Sequence, residues 1–528
     1  MSDIDESSKG TGQEAYNHNN EAHLNSPRNN SLKNQAEFKE QSSNSFIPET
    51  YDGEPETAGY SPSIKDSNLE FPEKTRLSSV LERVQSNYSF FNSKLKVQRK
   101  KLVVQFALVY LLMAVLILSI FSIYWGSMVN RGSRLKNLQM LVVIEDDATV
   151  DGITPVIGDS FYQLLQTPEA KYHGTWNVFN LSEWKSIAQS NNRTSLEEIQ
   201  LQIHNQNYWS ALYVKPNTSY NWVQAVLTGD SNYNVSENAI LNTYETGRDF
   251  TGMNSYVTPA IRSLESWWLD LQSNVTKQLL SNVGDSVDSS QERLQIIATP
   301  MTFVFDDRAP WNDYVLAAPS QVGLIYMIII TFFQVSFFAD LHKEVQQQKL
   351  RPIHYLIYRI ISATISYFVI SLFMSLVSLA CQIDFTVTYG KSGFLVYWMI
   401  SFITMIAVGT VNEVMALLFI LFYPPMSGFW LLFWVICNIT PTFTPLALSA
   451  KFFRYGYAMP IYNSYEASKT IFFDVYKGRM GRNIGILVAW CIVSNIAFVP
   501  VLKLFGSTMR KRAQEAAKQA KENELNEK

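Results

Sequence analysis

Leu102–Trp125 reads LVVQFALVYLLMAVLILSIFSIYW, an uncharged run of 24 residues, and about 20 apolar residues are enough for a helix to cross the hydrocarbon core of a bilayer. The run predicts a membrane span. It starts about a hundred residues into the chain, too late and too long for a cleaved leader, so it reads as a signal anchor. Lys94, Lys96, Arg99, Lys100 and Lys101 precede it, and Arg131, Arg134 and Lys136 follow at greater distance. The denser cluster should stay in the cytosol. That puts the N-terminus inside, the first span at 102–126, and residues 127–319 on the outer side.

Upstream, residues 1–101 read as a cytosolic tail, disordered through residue 80. That stretch is rich in Ser, Asn, Glu and Lys and has neither helical nor strand periodicity. Downstream, residues 127–319 alternate strand-like runs, Leu141–Ile144 and Trp209–Val214, with amphipathic stretches such as Ile261–Leu280. This pattern predicts an extracytosolic α/β domain large enough for its own core. Asn180, Asn192, Asn217, Asn234 and Asn274 each begin an N-x-S/T sequon there and are glycosylation candidates. Asn29, Asn87 and Asn438 match the same motif where the topology forbids its use.

Five further apolar blocks follow within 320–505: Val322–Ala339, Ile353–Ala380, Phe394–Phe422, Phe429–Ala450 and Ile484–Val501. The expectation is a polytopic α-helical membrane protein of about six transmembrane helices, with the α/β domain between spans 1 and 2. An even count returns the C-terminus to the cytosol. There the basic tail 506–528 begins with Arg510, Lys511 and Arg512, and loop 340–352 carries Lys343, Lys349 and Arg351. Loop 451–483 opposes the pattern, being placed outside yet rich in Lys and Arg. Its aromatic residues, among them Tyr455, Tyr457, Tyr462 and Tyr465, predict an amphipathic element on, or dipping into, the outer membrane face.

Composition narrows the function classes. Net charge is −3 and hydrophobic residues make up 47%, so no nucleic-acid partner is indicated. The three cysteines, Cys381, Cys437 and Cys491, lie in the apolar half, which rules out a disulfide framework in the outer domain. A phosphate-binding loop needs a glycine where Phe385 stands before Gly390, Lys391 and Ser392. His18, His23, His173, His204, His342 and His354 have no metal-like spacing, although His173 and His204 could meet in the folded domain. The chain reads as a non-enzyme with no cofactor, no metal and no energy-coupling motif of its own.

Polar residues within the apolar blocks are the substrate-path candidates. Asn412 and Glu413 lie in Phe394–Phe422, which as a straight helix would measure about 43 Å against about 30 Å of hydrocarbon. Either the helix breaks near Gly409–Glu413 to form a site, or Glu413 sits close to the cytosolic headgroups. Arg359 is the third candidate, with snorkelling to the inner leaflet as the simpler account. Pro441 and Pro445, set among Thr440, Thr442 and Thr444, should kink the fifth span, the threonines satisfying carbonyls that proline frees.

Ala317–Phe338 (AAPSQVGLIYMIIITFFQVSFF), Tyr455–Ser464 (YGYAMPIYNS) and Lys477–Trp490 (KGRMGRNIGILVAW) resemble the fungal nitrosoguanidine-resistance membrane proteins, a family carried as a domain of unknown function. That family is similar to bacterial phage-infection proteins and to the membrane subunits of ABC-2-type exporters. The resemblance runs from about Leu102 to Phe505. It implies a plasma-membrane protein linked to resistance against small toxic compounds and to phospholipid distribution between leaflets. On this basis the partners are membrane lipids, a second copy in a homodimer, and lipid flippases or other membrane proteins. Transport and non-transporting regulation both remain open.

Overall fold

The structure is a computed structural model that describes residues 90–283, 290–348, 350–443 and 445–526. The reading of residues 1–80 as a solvated tail lies outside them. One compact unit begins at Ser93. Its labelled elements are α1 (Lys96–Met128), β1 (Gln139–Ile144), α2 (Val156–Gln166), β2 (Thr175–Asn180), α3 (Leu181–Ser190), α4 (Ser195–His204), β3 (Ser210–Val214), α5 (Thr218–Thr228), β4 (Ile240–Tyr244), α6 (Thr258–Leu280), β5 (Phe303–Asp307), α7 (Gly323–Phe337), α8 (Pro352–Ala380), α9 (Gly393–Phe422), α10 (Met426–Phe443), α11 (Pro460–Phe473) and α12 (Met480–Asn526).

The five strands form one sheet in the order β2-β1-β3-β4-β5. β1 is parallel to both β2 and β3, β4 runs antiparallel to β3, and β5 is parallel to β4. Side chains alternate across the pleat. Val142, Ile144, Leu212 and Val214 face one way onto Phe161, Trp222 and Trp268 of α2, α5 and α6. Leu141, Val143, Ala211 and Tyr213 face the other way onto Trp184, Ile199 and Ile203 of α3 and α4. With helices on both faces, β1 and β3 must be apolar on both sides, which is why they read as continuous apolar runs.

Among the described residues, six helical segments are long and apolar enough to cross a membrane: Ser93–Met128, Tyr314–Gln347, Pro352–Ala380, Thr386–Phe422, Met426–Phe443 and Lys477–Asn523. The fourth is the hub. Its apolar window is 56% buried, against 6% for the first, and α9 packs on α7, α8, α11 and α12.

Four expectations change. α9 runs unbroken for 30 residues, because Gly409, rather than interrupting it, admits the Tyr367 ring of α8. A Cβ at Gly409 would lie 2.5 Å from that ring. Loop 340–352 is largely helical over Ala339–Gln347. The Phe429–Ala450 block ends its helix at Phe443, and the following Ala447 and Leu448 turn onto the sheet, where Asn137 Nδ2 donates to Ala447 O at 2.9 Å. Loop 451–483 divides in two: Lys451–Ala458 forms an amphipathic 3-10 helix that leaves Phe452 and Tyr457 exposed, whereas every residue of α11 except Glu466 is buried.

Pro441 lies inside α10 and leaves the carbonyl of Cys437 without its usual N–H donor. The Tyr455 hydroxyl supplies one at 3.1 Å. Thr440 and Thr442 instead bond back to Ile436 O and Ile439 O.

Candidate functional site

α8 begins with Pro352 in its first turn, where a missing N–H is harmless. Arg359 then falls two turns in, about 10 Å along the axis. Glu413 lies about 14 Å from the other end of α9. The two side chains meet as an ion pair in which Arg359 Nη2 donates to Glu413 Oε1. Arg359 is 6% exposed and Glu413 4%. The guanidinium is therefore enclosed by protein and paired with Glu413. Phe498 of α12 closes the pair from a third side, with its ring centroid 5.9 Å from the guanidinium carbon.

Asn412, next in sequence to Glu413, faces elsewhere. Its Nδ2 donates to Ile328 O at 3.0 Å and Thr331 Oγ1 at 3.2 Å, and its Oδ1 accepts from Trp430 Nε1 at 3.2 Å. It ties α7, α9 and α10 together. A step of about 100° per residue around the helix separates the two roles. Among the described residues, Tyr367 Oη, Arg359 Nε and Trp434 Nε1 are buried without a hydrogen-bond partner. Tyr367 and Trp434 belong to one apolar cluster with Met405, Val408 and Tyr465. Unsatisfied polar atoms in such surroundings are costly, and nothing in the local sequence of α8 or α10 marks them.

The sheet has its own candidate crevice. Its order places β2 and β3 on opposite sides of β1, and such a switch point is where open α/β sheets take ligands, often anions at helix N-termini. Here the Asp146 carboxylate fills that place. It accepts from Gly158 N at 3.0 Å on α2, and from Ser219 N and Oγ at 3.1 and 2.6 Å on α5. Burial raises the Asp146 pKa, opposed by these hydrogen bonds. Glu145 beside it accepts from Ser195 and Tyr213. The protein supplies its own anion.

Part of the positive charge of loop 451–483 meets partners within the protein. Lys469, 2% exposed, donates to Glu466 Oε1 at 2.7 Å and to the Arg248 carbonyl at 2.5 Å. Arg479 reaches Gln206 Oε1 at 2.8 Å, and Lys477 pairs with Asp474 at 2.7 Å. Gly247 fits against Phe473, and Trp311 packs tilted on the same ring with centroids 4.4 Å apart. α11 is thus clamped to the ends of β4 and β5.

Asn180, Asn192, Asn217, Asn234 and Asn274 are all exposed. His173 packs against Trp267, whereas His204 bonds to Glu245. Gly390, Lys391 and Ser392 form an exposed 3-10 turn, and the three cysteines are free thiols.

Comparison with known proteins is consistent with a membrane protein. A family described as "Protein of unknown function (DUF3533)" matches residues 109–496. An uncharacterized endoplasmic reticulum membrane protein of Saccharomyces cerevisiae is 32% identical over 445 residues, covering 82% of this chain and 86% of that protein. No solved structure matches.

Proposed function

The chain belongs to this DUF3533 family of unknown function, and from its intramembrane charges we propose that it is a transport-class protein of ABC-2-exporter-like layout. It moves phospholipids or lipophilic toxicants, or governs their distribution across the bilayer, and thereby contributes to drug and mutagen resistance. The Arg359–Glu413 pair carries this reading. A buried ion pair is commonly no more stable than a well-packed apolar pair of equal volume, and ionisable groups at membrane depth line substrate paths more often than they serve as packing. The unpartnered Arg359 Nε and Tyr367 hydroxyl add donors on α8 for a polar group passing between helices.

In the same reading residues 127–319 are extracytosolic, both termini are cytosolic and the protein resides in the plasma membrane as a homodimer. The exposed sequon asparagines and the basic residues flanking the first and last spans support the topology. The yeast relative's name puts that protein in the endoplasmic reticulum, so fluorescence localisation of the tagged full-length protein tests the address.

A second reading is a non-transporting regulator or scaffold of lipid flippases or other membrane proteins. It is favoured by the closure of the ion pair on itself: neither Arg359 nor Glu413 lines the cleft around His204 and Glu245 or the one around Tyr358 and Ile365. Reconstitution separates the two. Purified protein in liposomes should translocate labelled phospholipid, and Glu413→Gln should slow it. Absence of flux from liposomes, together with altered leaflet composition in cells lacking the protein, selects the regulator.

A further inference from the structure

A cleft of 570 Å³ opens where the sheet meets the segment between α11 and α12. Glu245 continues β4 at its inner wall, and Arg308 continues β5 beside it, its backbone N–H on Tyr244 O at 2.9 Å. His204 ends α4, and Asp474 follows α11. Glu197 and Arg193 complete the charged lining. Within this cleft one group is left incomplete. Glu245 is only 2% exposed, and its Oε1 bonds His204 Nδ1 at 3.0 Å. Its Oε2 has no hydrogen-bond partner among the described residues. A carboxylate oxygen held this way lacks an N–H or O–H donor, and leaving it without one costs more than the bond itself would contribute.

The rest of the lining indicates the donor. Among the described residues no three His, Cys, Asp or Glu side chains converge as a metal cage, which leaves a hydrogen-bonding cation. Arg193 is already paired with Glu198 at 3.2 Å, whereas Arg308 makes no side-chain ion pair among the described residues and is exposed. A carboxylate short of a donor thus stands beside an uncommitted guanidinium, an arrangement complementary to opposite charges a few ångströms apart on one small molecule.

We propose that this cleft binds a zwitterion bearing a primary ammonium group, with Glu245 taking the ammonium N–H and Arg308 the anionic group. The chemistry is shared by a soluble amine phosphate and by a phospholipid headgroup reaching up beside Asp474 and Lys477, just before the last span. The site is separate from the Arg359–Glu413 centre, and binding requires no transport, so neither inference depends on the other.

The test is calorimetric titration of the full-length protein in phosphatidylcholine nanodiscs with O-phosphoethanolamine and, in parallel, O-phosphocholine. Choline carries the same charge but no N–H, so it cannot complete Glu245. O-phosphoethanolamine should bind saturably and O-phosphocholine about tenfold more weakly. Glu245→Gln should abolish the preference, and Arg308→Gln should weaken both probes. No saturable binding, equal affinity for the two probes, or an unchanged preference in a folded Glu245→Gln protein would each overturn the proposal. If that variant does not fold, the contrast between probes on the wild-type protein decides alone. Repeating the titration in nanodiscs containing phosphatidylethanolamine identifies the source: loss of O-phosphoethanolamine binding assigns the site to the headgroup, and unchanged binding assigns it to a soluble ligand.

Discussion

Arg359 on α8 and Glu413 on α9 are each other's charged partner inside a helical bundle, with the Phe498 ring beside the guanidinium. Removing one member strands the other. Glu413→Gln or Arg359→Met should each cost about 3–5 kcal/mol of stability, read as a lowered unfolding temperature in detergent. The double variant Arg359→Met/Glu413→Leu should recover most of that loss, since the desolvation cost leaves with the charges. A double variant as unstable as the sum of the singles would mean that the two charges are not energetically coupled as a pair.

Gly409 and Tyr367 make the second contact worth testing. Gly409→Ala places a methyl group 2.5 Å from the Tyr367 ring, closer than real Cβ contacts come. Overpacking of this kind costs about 1–3 kcal/mol. Combining it with Tyr367→Leu should restore the unfolding temperature, and failure of the second change to help would show that the clash is relieved elsewhere.

His204 should make stability depend on pH. Its hydrogen bond to Glu245, reinforced by the charges of Glu245 and Asp474, raises its pKa above the ordinary 6.5, against burial and the charge of Lys477. Arg308 and Arg193 share the same cleft. A raised folded-state value means that the contribution is fully present below 6.5 and is lost as pH rises through the folded value. Wild-type protein should therefore lose unfolding temperature relative to His204→Gln as pH rises above 6.5. Parallel curves for the two proteins across that range would refute the assignment.

The proposed topology predicts glycans. Endoglycosidase should increase gel mobility, and Asn→Gln changes at Asn180, Asn192, Asn217, Asn234 and Asn274 should remove the shift stepwise. The outer placement would be lost if enzyme treatment changed nothing in the native host while a glycosylation reporter fused to the C-terminus became modified.

The Tyr455 hydroxyl on the Cys437 carbonyl explains how α10 tolerates Pro441 without a break. Tyr455→Phe should cost about 1 kcal/mol and leave expression intact. A loss several times larger would indicate that the ring itself, and not the hydrogen bond, holds the bend.

Six apolar segments could be read directly from the chain, because lipid imposes a length and a composition that hold residue by residue. The strands at Leu141–Ile144 and Trp209–Val214 were legible for a related reason: burial on both faces leaves a continuous apolar run. Arg359 and Glu413 were visible as costly residues, but sequence separation conceals a partner 54 positions away. The same limit hid the donors to Asp146, the Tyr455–Cys437 bond and the incomplete Glu245. Each depends on two distant segments arriving at one point.

Loop 451–483 shows the division most clearly. Composition alone determined that it is basic and aromatic, and the nearest medium for such a segment is a headgroup layer. Tertiary structure decided otherwise for α11 alone: the ends of β4 and β5 offer the Arg248 carbonyl, Gln206 and the Trp311 face, and α11 buries against them, while Phe452 and Tyr457 of Lys451–Ala458 stay exposed. Local sequence fixes what a segment needs, whether hydrocarbon, a hydrogen-bond partner or a counter-charge. Which other part of the chain satisfies that need is a property of the packed whole.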